Sequence, residues 1–167
     1  MPSKATIALL FGLASAFHAP RQPRRASGAL RADRVGYIIV DHGSRRDTAN
    51  AVVGELAAQL RERLQTENVQ PAHMELAEPS IQTAFDKCVE SGATHVICHP
   101  FFLTPGRHVL EDVPALVEEA AERYKSRGIS YEITSPLGAL PQIVDLIEES
   151  VTTAAESAVP AAQEVAK

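Results

Sequence analysis

The chain has 167 residues, enough for one domain of ordinary size. Hydrophobic residues make up 45% of it, which is typical of a soluble globular protein, and no apolar run is long enough to cross a membrane. The two cysteines, Cys88 and Cys98, are too few for a disulfide framework and match no zinc or iron–sulfur spacing. We therefore predict that both are buried as small hydrophobic side chains.

The first 34 residues have the composition of a targeting segment. Lys4 precedes an uncharged run that ends in Ala-Ser-Ala, which predicts a signal peptide over residues 1–16. Residues 17–34 contain five arginines and one acid, the composition of a transit peptide. This order resembles the two-part plastid presequence of algae with secondary plastids, and it predicts delivery to the plastid (chloroplast) stroma. A secreted protein with a basic propeptide and a buried N-terminal helix are the alternatives.

The remaining body is strongly acidic. Residues 35–167 hold 10 Lys/Arg against 20 Asp/Glu, a formal charge of −10. Such a charge argues against nucleic acid as a partner. It also makes any local cluster of arginines informative, and Arg45, Arg46 and Arg107 are three of the ten basic residues.

From Val35 onward, short apolar segments alternate with helical patterns. Strands are predicted at 35–40, 69–76, 94–103 and 129–138. Helical periodicity follows each of them, at 47–64, 79–91, 113–128 and 143–151. Four βα units in sequence predict a single α/β domain over residues 35–151, a four-stranded parallel sheet flanked by helices on both faces. Residues 152–167 are predicted to form a flexible Ala/Glu-rich tail.

Polar residues collect where the predicted strands end. In an open parallel sheet, ligands bind beyond the carboxyl ends of the strands. The residues predicted at that edge include two histidines, two glutamates and three arginines: His42, Gly43, Ser44, Arg45, Arg46, Glu75, Glu78, Arg107 and His108.

Each of these residues also has an ordinary structural interpretation. His42 fits a hydrogen-bonded loop residue, and Glu78 fits a partner of the positive end of the second helix. His108 and Asp112 fit a pair at a helix start. Glu75 shares a strand face with His73 and, on a strand expected to be interior, needs a partner or a function. Taken together, His, Glu and His from three strand ends form a set that can hold a divalent metal and accept protons.

Several longer motifs resemble the small class II tetrapyrrole chelatases, especially the plant-type sirohydrochlorin ferrochelatases and the related small cobaltochelatases. The matching segments, from about Val35 to Val151, are DHGSRR, PAHMELAEPSI, PFFLTPGRH, EDVP and ISYEITSPLG. The resemblance implies a chelatase-like, flavodoxin-like half-lobe that inserts a divalent metal into sirohydrochlorin. Ferrous iron, which gives sirohaem, is favoured over cobalt. The family's metal-binding and catalytic residues fall on His42, Glu75 and His108.

The resemblance also implies a substrate with eight carboxylates, which an acidic body repels unless cations line the site. We expect Arg45, Arg46 and Arg107 to bind these carboxylates, with free backbone N–H groups after Gly43 and Ser44 as a second anion-binding element. Surface pairing of Arg45 and Arg46 with Asp41 and Asp47 is the alternative.

Two further expectations follow from the same resemblance, and two other functions compete with it. Plant-type relatives carry a cysteine cluster near the carboxyl terminus, but no cysteine follows Val151 here, so no iron–sulfur cluster and no tightly bound cofactor are predicted. One lobe offers half a cleft for a macrocycle, which predicts a homodimer with the two strand-end edges facing each other. A metal or tetrapyrrole carrier without catalysis is the competing function. A histidine phosphatase is disfavoured because Asp41, and not arginine, precedes His42.

Overall fold

A computed structural model describes residues 34–158. The predicted signal peptide and nearly all of the predicted transit segment lie outside these residues, as does the chain after Ala158. The strands are β1 (Val35–Asp41), β2 (Val69–His73), β3 (His95–Pro100) and β4 (Ser130–Ile133). The helices are α1 (Asp47–Leu64), α2 (Ile81–Glu90), α3 (Val113–Glu122) and α4 (Gln142–Ala158). A π-helical turn, His108–Asp112, precedes α3, and 3₁₀ turns occur at Lys125–Arg127 and Leu137–Ala139.

The four strands form one parallel sheet in the order β2-β1-β3-β4. This confirms the predicted α/β class and the parallel sheet. The expectation that the second strand is interior was wrong, because β2 lies at an edge of the sheet. Pro71 fits that position, since proline has no N–H for a second neighbouring strand and is tolerated mainly on edges.

Helices cover both faces of the sheet, as predicted. Helices α2 and α3 pack over one face, where Ile38, Val40, Phe85 and Val117 are fully buried. Helix α1 covers part of the other face, with a smaller core made by Ile39, Val53, Ala57 and Val69. Parallel sheets are stable when both faces are covered in this way.

The two cysteines are free and buried, which confirms the prediction for Cys88 and Cys98. Burial raises the pKa of each thiol to about 12. Both thiols are therefore protonated at physiological pH and act as hydrophobic groups of the α2 side of the sheet.

Several element ends differ from the sequence prediction. β2 stops at His73, before Glu75, and the chain reverses at Leu76, whose φ of 65° is left-handed. Helix α4 continues to Ala158, past Val151, because the Thr/Ala/Glu composition of this stretch permits helix. Among residues 34–158, no helix has the length and apolarity needed to span a membrane.

Two glycine-to-alanine changes test the packing of β1 against α2. A Cβ at Gly36 would lie 2.6 Å from the Cβ of Cys88, whereas a Cβ at Gly54 in α1 would meet no atom within 4 Å. We expect Gly36→Ala to lower the free energy of unfolding by about 1–3 kcal/mol through overpacking. Gly54→Ala should raise it by up to about 1 kcal/mol through helix propensity. Chemical denaturation of both variants measures this difference, and equal stabilities would contradict the packing.

Candidate functional site

The ends of three chain segments bring His42, Glu75 and His108 together at the carboxyl edge of the sheet. The His42 Nε2 atom lies 3.1 Å from the Glu75 Oε1 atom. The rings of His42 and His108 meet edge to face, with centroids 4.9 Å apart and an interplanar angle of 81°. These side chains are 41%, 51% and 49% exposed, so all three are open to a ligand from solvent. The convergence expected from the strand-edge rule is therefore present.

The two nitrogens of His42 face two acceptor oxygens. Its Nδ1 atom lies 3.2 Å from the carbonyl oxygen of Gly43, and its Nε2 atom faces the Glu75 carboxylate. Because a carbonyl oxygen only accepts hydrogen bonds, Nδ1 carries a proton in this contact. The lone pair of a neutral His42 then points toward a carboxylate oxygen. A proton or a cation between these two atoms satisfies both of them.

His108 is held by a neighbouring acid on its own turn. Its Nδ1 atom lies 2.8 Å from Asp112 Oδ2, so the proton resides on Nδ1 and the Nε2 atom keeps its lone pair. A carboxylate behind an imidazole fixes the orientation of the ring in metal sites. The helix-start pair foreseen for His108 and Asp112 is therefore present, and it leaves the outer nitrogen of His108 available. Buried Val109 anchors the π-helical turn that carries them.

The side chain of Asp41 ties together the ends of β1 and β2. Its Oδ1 atom accepts from the Gly43 N–H at 2.9 Å and from the His73 Nδ1 atom at 2.6 Å. His73 is 3% exposed, so this hydrogen bond is shielded from water. Two backbone hydrogen bonds continue the junction, from the Met74 N–H to the Asp41 carbonyl and from the Glu75 N–H to the His42 carbonyl. We call these four contacts the Asp41–His73 clasp.

Gly43 is required where the two loops meet. Its φ of 84° lies in the left-handed region, and a Cβ at this position would collide with the carbonyl oxygen of Glu75. The glycine thus allows the His42 loop to approach the Glu75 loop. Its own N–H donates to the Asp41 carboxylate. The Ser44 side chain accepts from the Arg46 N–H at 3.1 Å.

The three arginines expected at this edge differ in their contacts. Arg45 and Arg46 are exposed, and neither makes an ion pair with a carboxylate of residues 34–158. The ion pairs with Asp41 and Asp47, which were the alternative for these two arginines, are therefore not formed. Arg107 is also exposed, but it lies 3.6 Å from Glu111 and 3.7 Å from Asp112.

Other polar residues near the strand ends have structural partners. Glu78 accepts hydrogen bonds from the Ser80 N–H and the Thr83 hydroxyl, which confirms its role at the start of α2. His99 pairs with Thr134 at 2.7 Å on the α1 side of the sheet, and burial lowers its pKa. Across the described chain, residues 34–158, no three His, Cys, Asp or Glu side chains already converge as a complete metal site.

Sequence reasoning missed the part played by Asp41 and His73. The apolar strand that ends in Asp-His, and a histidine two residues before Glu75, were the only signals for it. Their hydrogen bond joins residues 32 positions apart. That pairing depends on β1 and β2 being neighbours, which no local pattern shows.

Comparison with known proteins identifies relatives over the described body. The chain is 47% identical over 119 residues to the chloroplastic sirohydrochlorin ferrochelatase of Arabidopsis thaliana, covering 71% of this chain and 52% of that protein. It is 30% identical to the sirohydrochlorin cobaltochelatase of Methanopyrus kandleri, covering 72% of this chain and 96% of the relative. It thus spans about half the length of the plant protein and nearly all of the archaeal one.

Solved structures give the same relationship. A protein of Marinobacter aquaeolei VT8, described as a cobalamin biosynthesis CbiX protein, superposes with a TM-score of 0.64 at 30% identity. That match covers 74% of this chain and 98% of the other. SirB from Bacillus subtilis with Fe³⁺ gives a TM-score of 0.66 at 25% identity, covering 76% and 48% of the two chains. Residues 36–154 match the sequence model of the CbiX family. The chain belongs to the CbiX family, as its motifs predicted.

Proposed function

We propose that this protein is a sirohydrochlorin chelatase that inserts a divalent metal into the macrocycle, with ferrous iron as the metal and sirohaem as the product. The observation that carries the proposal is the group of His42, Glu75 and His108 at an open sheet edge in a chain of the CbiX family. The 47% identity to a plant ferrochelatase favours iron. The metal is a substrate, and it must be released into the product.

Metal insertion replaces two pyrrole N–H protons by one metal ion, so the site must receive a cation and remove protons. The outer nitrogen of His108 and the Nε2 atom of His42 supply lone pairs for either task. Imidazole binds ferrous and cobaltous ions and accepts protons near neutral pH. Glu75, in contact with His42 and half-exposed, passes the protons on to solvent. Within residues 34–158 the ligands form no closed cage, which suits a metal that must leave.

The Asp41–His73 clasp supports this chemistry by holding His42 and Glu75 in place. It fixes the position of His42 relative to Glu75 without contacting the macrocycle, because His73 is buried. Catalytic groups act effectively when their neighbours hold them within a fraction of an ångström of the reactive geometry. We assign Asp41, His73 and Asp112 as positioning residues.

Arg45 and Arg46 are assigned to the carboxylates of the substrate. Both residues are exposed and form no ion pair within residues 34–158, and they follow His42 by three and four positions in the chain. Arginine binds carboxylates in a planar, two-point geometry. Arg107 joins them when a substrate carboxylate replaces its weak pairs with Glu111 and Asp112. Positive charge at this edge offsets the repulsion of an acidic protein for an acidic macrocycle.

We assign the working form as a homodimer and the working compartment as the plastid. One lobe presents a single open edge to the macrocycle, and a second copy facing it encloses the substrate. The compartment rests on the chloroplastic Arabidopsis relative and on the targeting composition of residues 1–34.

Cobalt is the second candidate metal. The Methanopyrus relative is a cobaltochelatase, and the B. subtilis structures include SirB with Fe³⁺ and SirB in complex with cobalt. Histidine and glutamate ligands discriminate weakly between ferrous and cobaltous ions. Anaerobic assays of the protein with sirohydrochlorin and each metal, followed by visible absorption, rank the two. Catalysed metallation above the spontaneous rate supports a chelatase, whereas a spectral change that stops after one equivalent indicates a carrier.

Loss of the His108 side chain should slow metallation. Replacing it by alanine removes one proton acceptor and one metal-binding nitrogen, so kcat should fall by roughly 100-fold or more, the usual size of a general-base contribution. His95→Ala is the control. His95 lies at the start of β3, at the amino-terminal edge of the sheet, where its ring is hydrogen-bonded to Ser130. Initial rates of metallation measure both variants. A His108→Ala rate within threefold of the parent removes His108 from the mechanism.

Loss of the Arg45 and Arg46 charges should weaken substrate binding more than it slows turnover. Changing both to glutamine should raise KM by roughly 2- to 30-fold with a smaller change in kcat, since an exposed ion pair contributes about 0.2–1 kcal/mol. Arg127→Gln is the matched control, because Arg127 lies over the Tyr124 ring in the turn before β4, away from the site. Added salt should raise the KM of the parent enzyme toward that of the double variant, because salt screens exposed ion pairs. A fall in kcat at constant KM argues against a binding role.

A further inference from the structure

One side chain of helix α1 reaches back to the loop that carries two of the arginines. Asn50 lies in the first turn of α1, and its Nδ2 atom donates to the Ser44 carbonyl at 2.8 Å. Because a carbonyl oxygen only accepts hydrogen bonds, the nitrogen of the Asn50 amide faces Ser44. This contact joins the loop after β1 to the helix that follows it.

The loop is held at two successive residues. The Gly43 N–H donates to the Asp41 carboxylate at 2.9 Å. Asn50 holds the carbonyl of the next residue, Ser44. Because a peptide group is planar, the hold on this carbonyl also fixes the peptide from which the Arg45 backbone starts. The Asn50 contact therefore limits the directions in which the Arg45 side chain can leave the loop.

The backbone of Arg46 is fixed in the same short segment. Its N–H donates to the Ser44 hydroxyl at 3.1 Å. Its carbonyl accepts from the N–H groups of Ala49 and Asn50 at 3.0 and 3.3 Å. Neither arginine forms an ion pair within residues 34–158. The described fold thus holds the backbone of both arginines and leaves their charges unpaired.

The other half of the Asn50 amide is a cost to the fold. Its Oδ1 atom is shielded from solvent and has no hydrogen-bond partner within residues 34–158. A buried acceptor without a donor costs at least as much as one ordinary hydrogen bond contributes. Asparagine also favours a helix less than alanine does. Stability alone therefore does not explain Asn50, and its contact with the arginine loop becomes the feature to explain.

We propose that Asn50 is a positioning residue for substrate binding, which acts through the Ser44 carbonyl to hold Arg45 and Arg46 where they meet a carboxylate of the macrocycle. A loop that is ordered only on binding weakens a complex by the entropy of its ordering, and a loop held beforehand avoids this cost. The inference rests on the proposed function, in which the two arginines bind the substrate. Because Asn50 acts through the loop backbone, its loss should affect binding and not the metallation step.

Asn68 is a matched control within the same chain. Its Nδ2 atom donates to the Cys88 carbonyl at 3.0 Å, and its Oδ1 atom is likewise buried without a partner among the described residues. Asn68 directly precedes β2, at the amino-terminal edge of the sheet, opposite the candidate site. Asn50→Ala and Asn68→Ala therefore remove the same groups and differ in where they remove them.

The first measurement is the initial rate at which the full-length variants insert ferrous iron into sirohydrochlorin under anaerobic conditions. We expect Asn50→Ala to raise KM by roughly 3- to 10-fold, the fold-change that matches the net contribution of one hydrogen bond, with kcat within about twofold of the parent. Asn68→Ala should leave KM unchanged. An unchanged KM in Asn50→Ala, an equal rise in Asn68→Ala, or a fall in kcat alone would each overturn the proposal.

A combined variant shows whether Asn50 acts through the arginines. In the Arg45→Gln/Arg46→Gln background, Asn50→Ala should change KM by less than about 1.5-fold, because the charges that Asn50 positions are already missing. Equal effects of Asn50→Ala in the two backgrounds would show that it acts by another route, and the proposal would fall.

Limited digestion with trypsin reports on the loop without any substrate. Trypsin cleaves after arginine, so the peptide bonds after Arg45 and Arg46 lie in the segment that Asn50 holds. Asn50→Ala should speed cleavage at these bonds by at least about threefold, because local opening exposes them, whereas Asn68→Ala should not. Mass spectrometry of the fragments identifies the bonds. Unchanged cleavage in Asn50→Ala would show that Asn50 does not hold the loop.

These measurements separate the inference from the proposed function. An absence of catalysed metallation by the parent protein would contradict the chelatase and, with it, any role of Asn50 in binding its substrate. Catalysis by the parent without a rise in KM for Asn50→Ala would contradict the role of Asn50 alone.

Discussion

The candidate site depends on one hydrogen-bonded carboxylate, that of Asp41. It accepts from Gly43 in its own loop and from buried His73 on the neighbouring strand. A carboxylate at the end of a buried strand is costly unless its oxygens are paired, and here the pairing fixes the geometry of the site. His42 follows Asp41 directly, and Glu75 lies two residues after His73. Any shift of β2 against β1 would therefore separate His42 from Glu75.

His108 is held in a different way from His42 and Glu75. The His42–Glu75 pair is fixed by contacts between two strands, whereas His108 is fixed by Asp112, four residues later on the same turn. In the candidate site, His42 and Glu75 are thus held by contacts between two strands, whereas His108 is carried on a π-helical turn. Such turns are rare in regular helices and occur often at functional sites. His108 therefore depends for its position on its own turn and not on the junction of β1 and β2.

The sequence predicted the class of fold, the convergence of His42, Glu75 and His108, and the burial of both cysteines. These follow from local patterns combined with one general rule, that parallel strands place their carboxyl ends at a common edge. The strand order did not follow, because an apolar run shows that a strand is buried but not which neighbours it has. Pro71 was the available signal for an edge strand. The Asp41–His73 hydrogen bond was missed for the same reason, since it exists only if β1 and β2 are adjacent. The length of α4 was underestimated because its last residues favour helix without any apolar pattern strong enough to require it.

Two features of the described body are open to solvent, the carboxyl edge that carries the candidate site and a groove beside α1. The sheet face beside α1 has one helix where the opposite face has two. Helix α4 starts on the carboxyl-edge side of β4, behind a turn fastened to the loop after β3. The loop from β3 to the π-helical turn then has two tasks, since its Phe102 carbonyl holds the turn that directs α4 and its far end carries His108.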